Sequence, residues 1–272
     1  MFGRDRIEYK SSEQVRVMRR AGLVVADALD AVREATRPGR TTAELDAVAA
    51  QVISRAGATP SFLGYHGFSG TVCLSVNEEV VHGIPGERVL QAGDLLSVDC
   101  GAVVDGWHGD AAISLVVAGA DADPEDERLV AVTERALWAG IAALVVGGHL
   151  GEVGAAVEDE VDGAFGIVEG YVGHGIGTAM HQPPEVVNYR TRDRGPRLKR
   201  GLCVAVEPML VRGSPETRVL ADDWTVVTTD GSRAAHWEHS VALFDAGPWV
   251  LTARDGGRAG LAPYGVQAAP LE

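Results

Sequence analysis

The stretch LLSVDCGAVVDGWHGDAAISLVV, residues 95–117, decides how the centre of this chain folds. Two apolar runs, residues 95–103 and 107–117, are rich in leucine, valine and alanine. Between them stands Asp105-Gly106, a dipeptide typical of a tight turn between two strands. The sequence therefore predicts an antiparallel hairpin here.

The register of this hairpin brings two carboxylates together. If Asp105 and Gly106 form a two-residue loop, Asp99 and Asp110 lie on one face as diagonal neighbours roughly 7–8 Å apart. Carboxylates reaching toward each other from there could hold two cations about 3.5–4 Å apart. Alternatively, Asp99 is a turn residue at the end of a strand and Asp110 is exposed to solvent. Asp99 follows the apolar run Leu95-Leu96-Ser97-Val98, and an isolated buried charge is so costly that it needs a partner.

Helical patterns precede this hairpin. From Ser12 onward, apolar residues recur at steps of three and four, as on one face of a helix, until Pro38 and Gly39 end the pattern. Thr41 followed by Glu44 is a capping box, which predicts the start of a second helix that stops at Gly57.

The second half of the chain repeats this order of two helices followed by strands. Helices are predicted over residues 124–146 and 152–165, and short strands near residues 170–173, 202–210, 224–229 and 235–244. This organisation indicates an α/β (α+β) sandwich of two related halves. Residues 252–272 are rich in glycine, alanine and proline, and a loose C-terminal tail is expected there.

Composition excludes several classes of function. The chain has 272 residues, and 24 Lys and Arg against 38 Asp and Glu give a formal net charge of −14. That balance argues against binding nucleic acid or an anionic membrane, because phosphate contacts need basic patches. The N-terminus lacks a signal-peptide pattern, and no apolar run of about 18 residues predicts a membrane span. Three widely spaced cysteines without a CxxC motif favour a reducing cytoplasm.

A glycine-rich segment, GHGIGTAMHQPP at residues 173–184, carries His174 and His181. Glycine lets the backbone approach a ligand closely, and a neutral imidazole binds metals or transfers protons near pH 7. A lone histidine is more often structural. Here, however, the neighbouring glycines offer nothing that would pack a core around His174, so a functional role is favoured for both histidines.

Two glutamates stand in the last apolar strands. Glu207 follows Cys203-Val204-Ala205-Val206 and precedes Pro208, and Glu238 precedes another apolar run. Alternatively, each glutamate is a charge on an edge strand that prevents aggregation.

Together with Asp99, Asp110 and His174, the two glutamates form an oxygen-rich ligand set, which favours manganese, iron(II) or cobalt over a thiolate-type zinc site. One cation cannot balance so many negative ligands, so two metals sharing a bridging water are predicted.

Taken together, these residues resemble the type I methionine aminopeptidases over roughly residues 10–250. The matching segments agree in order and spacing, and they are residues 64–68, 77–78, 81–85, 97–99, 106–110, 173–177, 181–184, 206–209 and 238–240. Only 31 positions separate Glu207 from Glu238, which leaves no room for the insertion typical of type II enzymes. The resemblance implies a pita-bread (creatinase/aminopeptidase) fold, with two pseudo-twofold halves and an antiparallel sheet covered by helices. A single catalytic domain over residues 1–251 is expected.

The resemblance also implies roles for individual residues. Asp99, Asp110, His174, Glu207 and Glu238 would bind two divalent ions (cobalt, manganese or iron(II), with zinc or nickel as further candidates). Asp110 and Glu238 would bridge the ions, and His174 and Glu207 would bind one of them. His82 and His181 would contact the scissile peptide and stabilise the tetrahedral intermediate. Glu207 would shuttle a proton from the metal-bridging water or hydroxide to the leaving amine.

By the same resemblance, an apolar pocket would hold the methionine side chain. Its walls would be Tyr65, Phe68, Cys73, Met180 and Trp224, with Phe62 near the rim; the alternative for each is ordinary core packing. Phe62 stands where some relatives carry cysteine, and Met180 where many carry phenylalanine, which puts the shape of the pocket in question.

The expected substrates are the N-termini of nascent polypeptides with a small second residue. The enzyme is expected to be a monomer that meets them in the cytoplasm or at the ribosome. Two alternatives stay open. A proline-specific aminopeptidase or prolidase shares the five metal ligands, although such enzymes usually carry a large N-terminal domain. A non-catalytic pita-bread module would bind peptides or partner proteins, although such modules typically lose metal ligands. Metal content and assays on Met-Gly-X and X-Pro peptides separate these possibilities.

Overall fold

The computed structural model describes residues 7–119 and 122–270. Within those ranges the chain forms five α-helices, which are α1 (Ser12–Ala35), α2 (Thr42–Arg55), α3 (Pro124–Ala142), α4 (Gly151–Val161) and α5 (Arg258–Leu261). The predicted capping box of Thr41 and Glu44 begins α2, and Ser11 forms a second one at the start of α1. Two short 3-10 helices cover Tyr65–Gly67 and Ala262–Tyr264. None of the described helices is long and apolar enough to cross a membrane.

Fifteen strands fall in the same ranges. They are β1 (Thr59–Pro60), β2 (Cys73–Val76), β3 (Glu79–Val81), β4 (Leu95–Val104), β5 (Trp107–Val116), β6 (Gly166–Ile167), β7 (Gly173–Gly175), β8 (Gln182–Val186), β9 (Cys203–Val206), β10 (Met209–Val211), β11 (Thr217–Val219), β12 (Val226–Thr228), β13 (Ala234–His236), β14 (Glu238–Phe244) and β15 (Gly247–Val250).

Several predicted elements are shorter or divided. The helices predicted over 124–146 and 152–165 end at Ala142 and Val161, the second where Asp162 adopts a left-handed conformation that interrupts the helix. The strand predicted near 202–210 is divided into β9 and β10 on either side of Glu207 and Pro208. Proline has no backbone N–H to continue a strand ladder, so the chain leaves the sheet at this point.

The main sheet joins the two halves of the chain. Its strands run in the order β1-β4-β5-β14-β9-β7-β8, with β2 added against β4 and β15 against β14. The hairpin β4–β5 pairs in the predicted register, and β5 then pairs with β14 from the second half. The remaining strands form two three-stranded sheets, β13-β10-β6 and β11-β12-β3.

Each helix pair covers one part of this sheet. Leu29 of α1 and Ile53 of α2 belong to a buried cluster that includes Val98 of β4. Ile141 of α3 and Val204 of β9 belong to a second buried cluster on the other half. Burying apolar area at roughly 25 cal/mol per Å² is the main favourable term in folding. The fold is thus the predicted α/β sandwich, with helices packed on a curved antiparallel sheet.

The expectation of a loose tail is wrong for residues 252–270. Leu261 of α5 is fully buried and belongs to the same cluster as Ile141, and Ala269 is 1% exposed. The guanidinium of Arg19 donates hydrogen bonds to the carbonyl oxygens of Ala253 and Arg254. The high glycine and alanine content of this segment suggested that it had too few large apolar side chains to pack. A few apolar side chains are nevertheless enough to hold the segment when they contact a core that the rest of the chain has formed.

Truncation of Leu261 tests this packing. Leu261→Ala is expected to lower the free energy of unfolding by about 2–5 kcal/mol, because it removes a fully buried side chain and leaves a cavity. Gln267→Ala, at an exposed position of the same segment, should change it by less than about 0.5 kcal/mol. Chemical denaturation of both variants measures the difference, and equal small effects would show that the segment is loose after all.

Candidate metal centre and active site

Three of the predicted ligands come from neighbouring strands at the junction of the two halves. Asp99 of β4 and Glu238 of β14 both pair with Ala112 of β5, so they flank it on either side. Asp110 lies two residues before Ala112 on β5, and alternation along a strand puts the two on the same face. The hydroxyl of Ser240 accepts a hydrogen bond from the backbone N–H of Asp110 and donates one to its carbonyl, which fixes this part of the strand.

The other two predicted ligands come from the second half. His174 lies on β7 and Glu207 directly follows β9, and the Nε2 of His174 is 3.4 Å from Oε1 of Glu207. The Nδ1 of His174 is 3.0 Å from the carbonyl oxygen of Gly175, which leaves Nε2 for the cluster. Gly173 permits this approach, because a side chain there would collide with the carbonyl oxygen of Ala205.

All five predicted ligands line one cavity of about 320 Å³. Ligand atoms of Asp110, His174 and Glu238 lie within 4.8 Å of one another. The arrangement therefore matches the predicted convergence of residues that lie far apart in the chain.

Electrostatics make the cluster unfavourable without a cation. Burial, followed by the neighbouring carboxylates, raises the pKa of Asp99, Glu207 and Glu238 well above the usual range. Burial raises the pKa of Asp110 to about 7. Within the described part of the chain, one buried oxygen of each of these four side chains has no hydrogen-bond partner. Buried oxygens of this kind need a partner, and a divalent ion satisfies and neutralises them together, so the residues fit a metal centre.

Two further predicted residues, His82 and His181, also line the cavity. The Nδ1 of His181 is 2.9 Å from the hydroxyl of Tyr65, and its ring centroid is 4.4 Å from that of His174. His82 directly follows β3 with a positive φ of 61°, and its ring packs edge-on against Trp224. Burial lowers the pKa of His82 to about 4 and also lowers that of His181, so both rings are neutral at pH 7.

The predicted methionine pocket forms the apolar part of the same cavity. Its core is a buried cluster against which Tyr65 and Trp224 pack, made of Phe62, Phe68, Cys73 and Met180. The rings of Phe68 and Trp224 meet edge to face, with centroids 5.1 Å apart. Burial, followed by the charges of Asp99 and Asp110, raises the pKa of the Cys73 thiol well above its usual value, so this cysteine is a neutral wall of the pocket.

Sequence reasoning missed His236, which lines the cavity at the end of β13 and is 2% exposed. Its position two residues before Glu238 was the available signal, since residues i and i+2 of an extended chain share a face. Tyr171 was also missed; its ring packs against His82 with centroids 5.8 Å apart, and no sequence pattern marked it.

Comparison with known proteins agrees with this geometry. The model of metallopeptidase family M24 matches residues 16–244, and the chain therefore belongs to this family. It is 52% identical to Methionine aminopeptidase 1 of Mycobacterium tuberculosis, over 92% of this chain and 96% of that protein. It is 43% identical to Methionine aminopeptidase 1 of Bacillus subtilis, over 89% and 98% of the two chains. These likenesses support a peptide-bond hydrolase that binds divalent metal.

Solved structures extend the comparison. A methionine aminopeptidase from Thermotoga maritima superposes with a TM-score of 0.89 at 37% identity, covering 92% of this chain and all of that one. A prolidase from Pyrococcus furiosus superposes at 0.71 with 18% identity, covering 90% of this chain and 65% of the prolidase. The second likeness is one of fold alone, and it confirms the pita-bread architecture expected from the sequence.

Proposed function

We propose that this protein removes the N-terminal methionine from polypeptides by metal-dependent hydrolysis of the first peptide bond. One observation carries the proposal: an apolar pocket for a single side chain opens directly onto a buried carboxylate–imidazole cluster. A free N-terminus whose side chain fills the pocket would place its first peptide bond at the cluster. The relatives named methionine aminopeptidase support this choice over other peptidases of the family.

Two divalent cations fit the cluster better than one. Asp99, Asp110, Glu207 and Glu238 carry four negative charges when ionised, which two divalent ions balance. The strands that carry Asp110 and Glu238 lie between the strand of Asp99 and the strand of His174, so these two carboxylates would be the ones shared by both ions. Cobalt, manganese and iron(II) suit this oxygen-rich set, with zinc or nickel as further candidates. When bound, the ions would polarise the peptide carbonyl and acidify water.

The protein's own side chains would supply the remaining chemistry. Phe68, Trp224 and the sulfur of Met180 would hold the thioether through aromatic and sulfur contacts. His82 and His181 are neutral N–H donors that line the cavity, and they would stabilise negative charge developing on the carbonyl oxygen. Glu207 would take a proton from the attacking water and pass it to the departing amine.

The physiological substrates would be nascent polypeptides with a small second residue, met in the cytoplasm or at the ribosome by a monomer. The test uses metal-free protein reconstituted with Mn(II) or Co(II). Met-Ala-Ser should be cleaved to free methionine, while Leu-Ala-Ser, a control of similar size, should be cleaved far more slowly. Cleavage of an X-Pro peptide instead would identify a proline-specific enzyme. A protein that stays inactive with every metal would be a binding module.

Metal affinity should depend on pH in a defined direction. Because burial raises the pKa of Asp110 to about 7, a cation must displace a proton below that pH. The apparent affinity for Mn(II) is therefore expected to rise with pH through about 7, by up to about tenfold per pH unit for each proton displaced. Calorimetric titration from pH 6 to 8 measures this slope.

The matched control is Glu127→Gln, which removes an exposed carboxylate on α3 away from the cavity. It should leave the slope unchanged. A wild-type affinity that does not vary over this pH range would contradict the coupling between proton release and metal binding.

A further inference from the structure

His236 places a second imidazole at the acidic cluster, and the reaction proposed above gives it no task. Its side chain is buried, and its Nε2 lies 3.9 Å from Oε2 of Glu207. That nitrogen has no hydrogen-bond partner among the residues that the structure describes. A buried polar atom left unsatisfied costs roughly 1–3 kcal/mol, and a cation bound beside this nitrogen would remove that cost.

The backbone aims this ring at the cluster. His236 and Glu238 are two residues apart on an extended chain, so their side chains share a face. Across the β10–β13 pair, His236 stands opposite Met209, two residues after Glu207. Glu207 and His236 are therefore diagonal neighbours, at a distance that long side chains span.

Ligand atoms of Glu207, His236 and Glu238 lie within 4.8 Å of one another. Donors about 2.0–2.2 Å from one ion are at most about 4.4 Å apart, so this triplet closes on an ion with side-chain shifts of a few tenths of an ångström. The ligand atoms of Asp110, His174 and Glu238 fall within the same limit. The two triplets share Glu238, and His174 also lies against Glu207, so the imidazoles of His174 and His236 approach the same carboxylates.

We propose that His236 is a sixth protein ligand of the metal centre, donating Nε2 to the cation held by Glu207 and Glu238. The inference rests on the proposed function, since it assumes a two-cation site. Because Nε2 of His174 is 3.4 Å from Oε1 of Glu207, this cation would then have two imidazole ligands. Because imidazole suits cobalt, nickel and zinc better than it suits manganese, the second imidazole would shift the preference of the site toward those ions.

The test counts coordinated histidines in the full chain loaded with two equivalents of Co(II). Proton NMR of such a protein shows strongly shifted imidazole N–H resonances, one for each ring bound to the paramagnetic ion. Two such resonances are expected in the wild-type protein and one in His236→Gln. Titration should show that His236→Gln binds Co(II) at least about tenfold more weakly, with a smaller loss for Mn(II).

His149→Gln, a change at a histidine remote from the cavity, should keep both resonances and both affinities. A single shifted resonance in the wild-type protein would overturn the proposal whether or not the variant folds. Two resonances that both persist in His236→Gln would overturn it as well. Methionine release is assayed separately on the same samples, so a protein with two coordinated histidines but no peptidase activity would refute the proposed function alone.

Discussion

Replacing Glu238 with alanine is expected to abolish methionine release and metal binding together. Glu238 belongs to both donor triplets and flanks Ala112 opposite Asp99, so its loss removes a ligand from each cation. We expect kcat/KM to fall at least about 10³-fold, equivalent to about 4 kcal/mol of transition-state stabilisation. Elemental analysis after reconstitution and desalting should find less than one metal ion per chain. Asp110→Ala should behave in the same way.

Two controls separate ligand loss from general damage. Glu238→Gln keeps the volume of the side chain and removes its charge, so it should also lose metal while remaining folded. Glu216→Ala removes an exposed glutamate and should keep full activity and metal content. A Glu238→Ala protein that keeps two tightly bound ions, yet is inactive, would show that Glu238 acts on substrate instead of metal.

The parts of the fold predicted correctly were those with strong local signals. The Asp105-Gly106 turn set the register of β4 and β5, and hence the placement of Asp99 and Asp110 on one face. The Thr41 capping box located the start of α2. Each of these signals is contained within a few residues, so local chemistry alone determines it.

The errors arose where distant contacts decide the structure. The segment after residue 251 looked too poor in large side chains to pack, but the core formed by α3 and β14 offers a surface for Leu261. The end of α3 was placed too late, because an apolar run continues as far as Val146 although the helix stops at Ala142. Neither outcome is encoded in local sequence, since each depends on what the rest of the chain presents.

In the candidate site, too, the residues with a strong local sequence signal were predicted, and a residue placed by distant contacts was missed. The five predicted ligands were found because a charged or imidazole group in an apolar or glycine-rich setting needs a reason to be there. His236 stands in a similar setting, between Ala235 and Trp237, but no role was predicted for it. The pairing of β13 with β10 brings the His236 ring to Glu207. No short sequence pattern reveals that these two segments are paired.

Replacing His181 with alanine is expected to separate catalysis from metal binding. His181 belongs to neither donor triplet found among the described residues, and its Nδ1 is engaged with the hydroxyl of Tyr65. That bond leaves Nε2 toward the cavity, where it would donate to the oxygen on which charge develops. Loss of one such donor lowers kcat by about 10²–10³-fold. The variant should therefore retain its metal while losing most of its turnover.

The size of the effect on each kinetic constant discriminates among roles for this histidine. A donor used only in the transition state lowers kcat and kcat/KM equally, whereas a ground-state contact raises KM. Tyr65→Phe removes the hydroxyl that holds the ring but keeps the ring, so its loss of kcat should be smaller than that of His181→Ala, again with metal retained. If His181→Ala instead loses metal, then His181 is a ligand, and the division between metal-binding and substrate-binding imidazoles in this cavity is wrong.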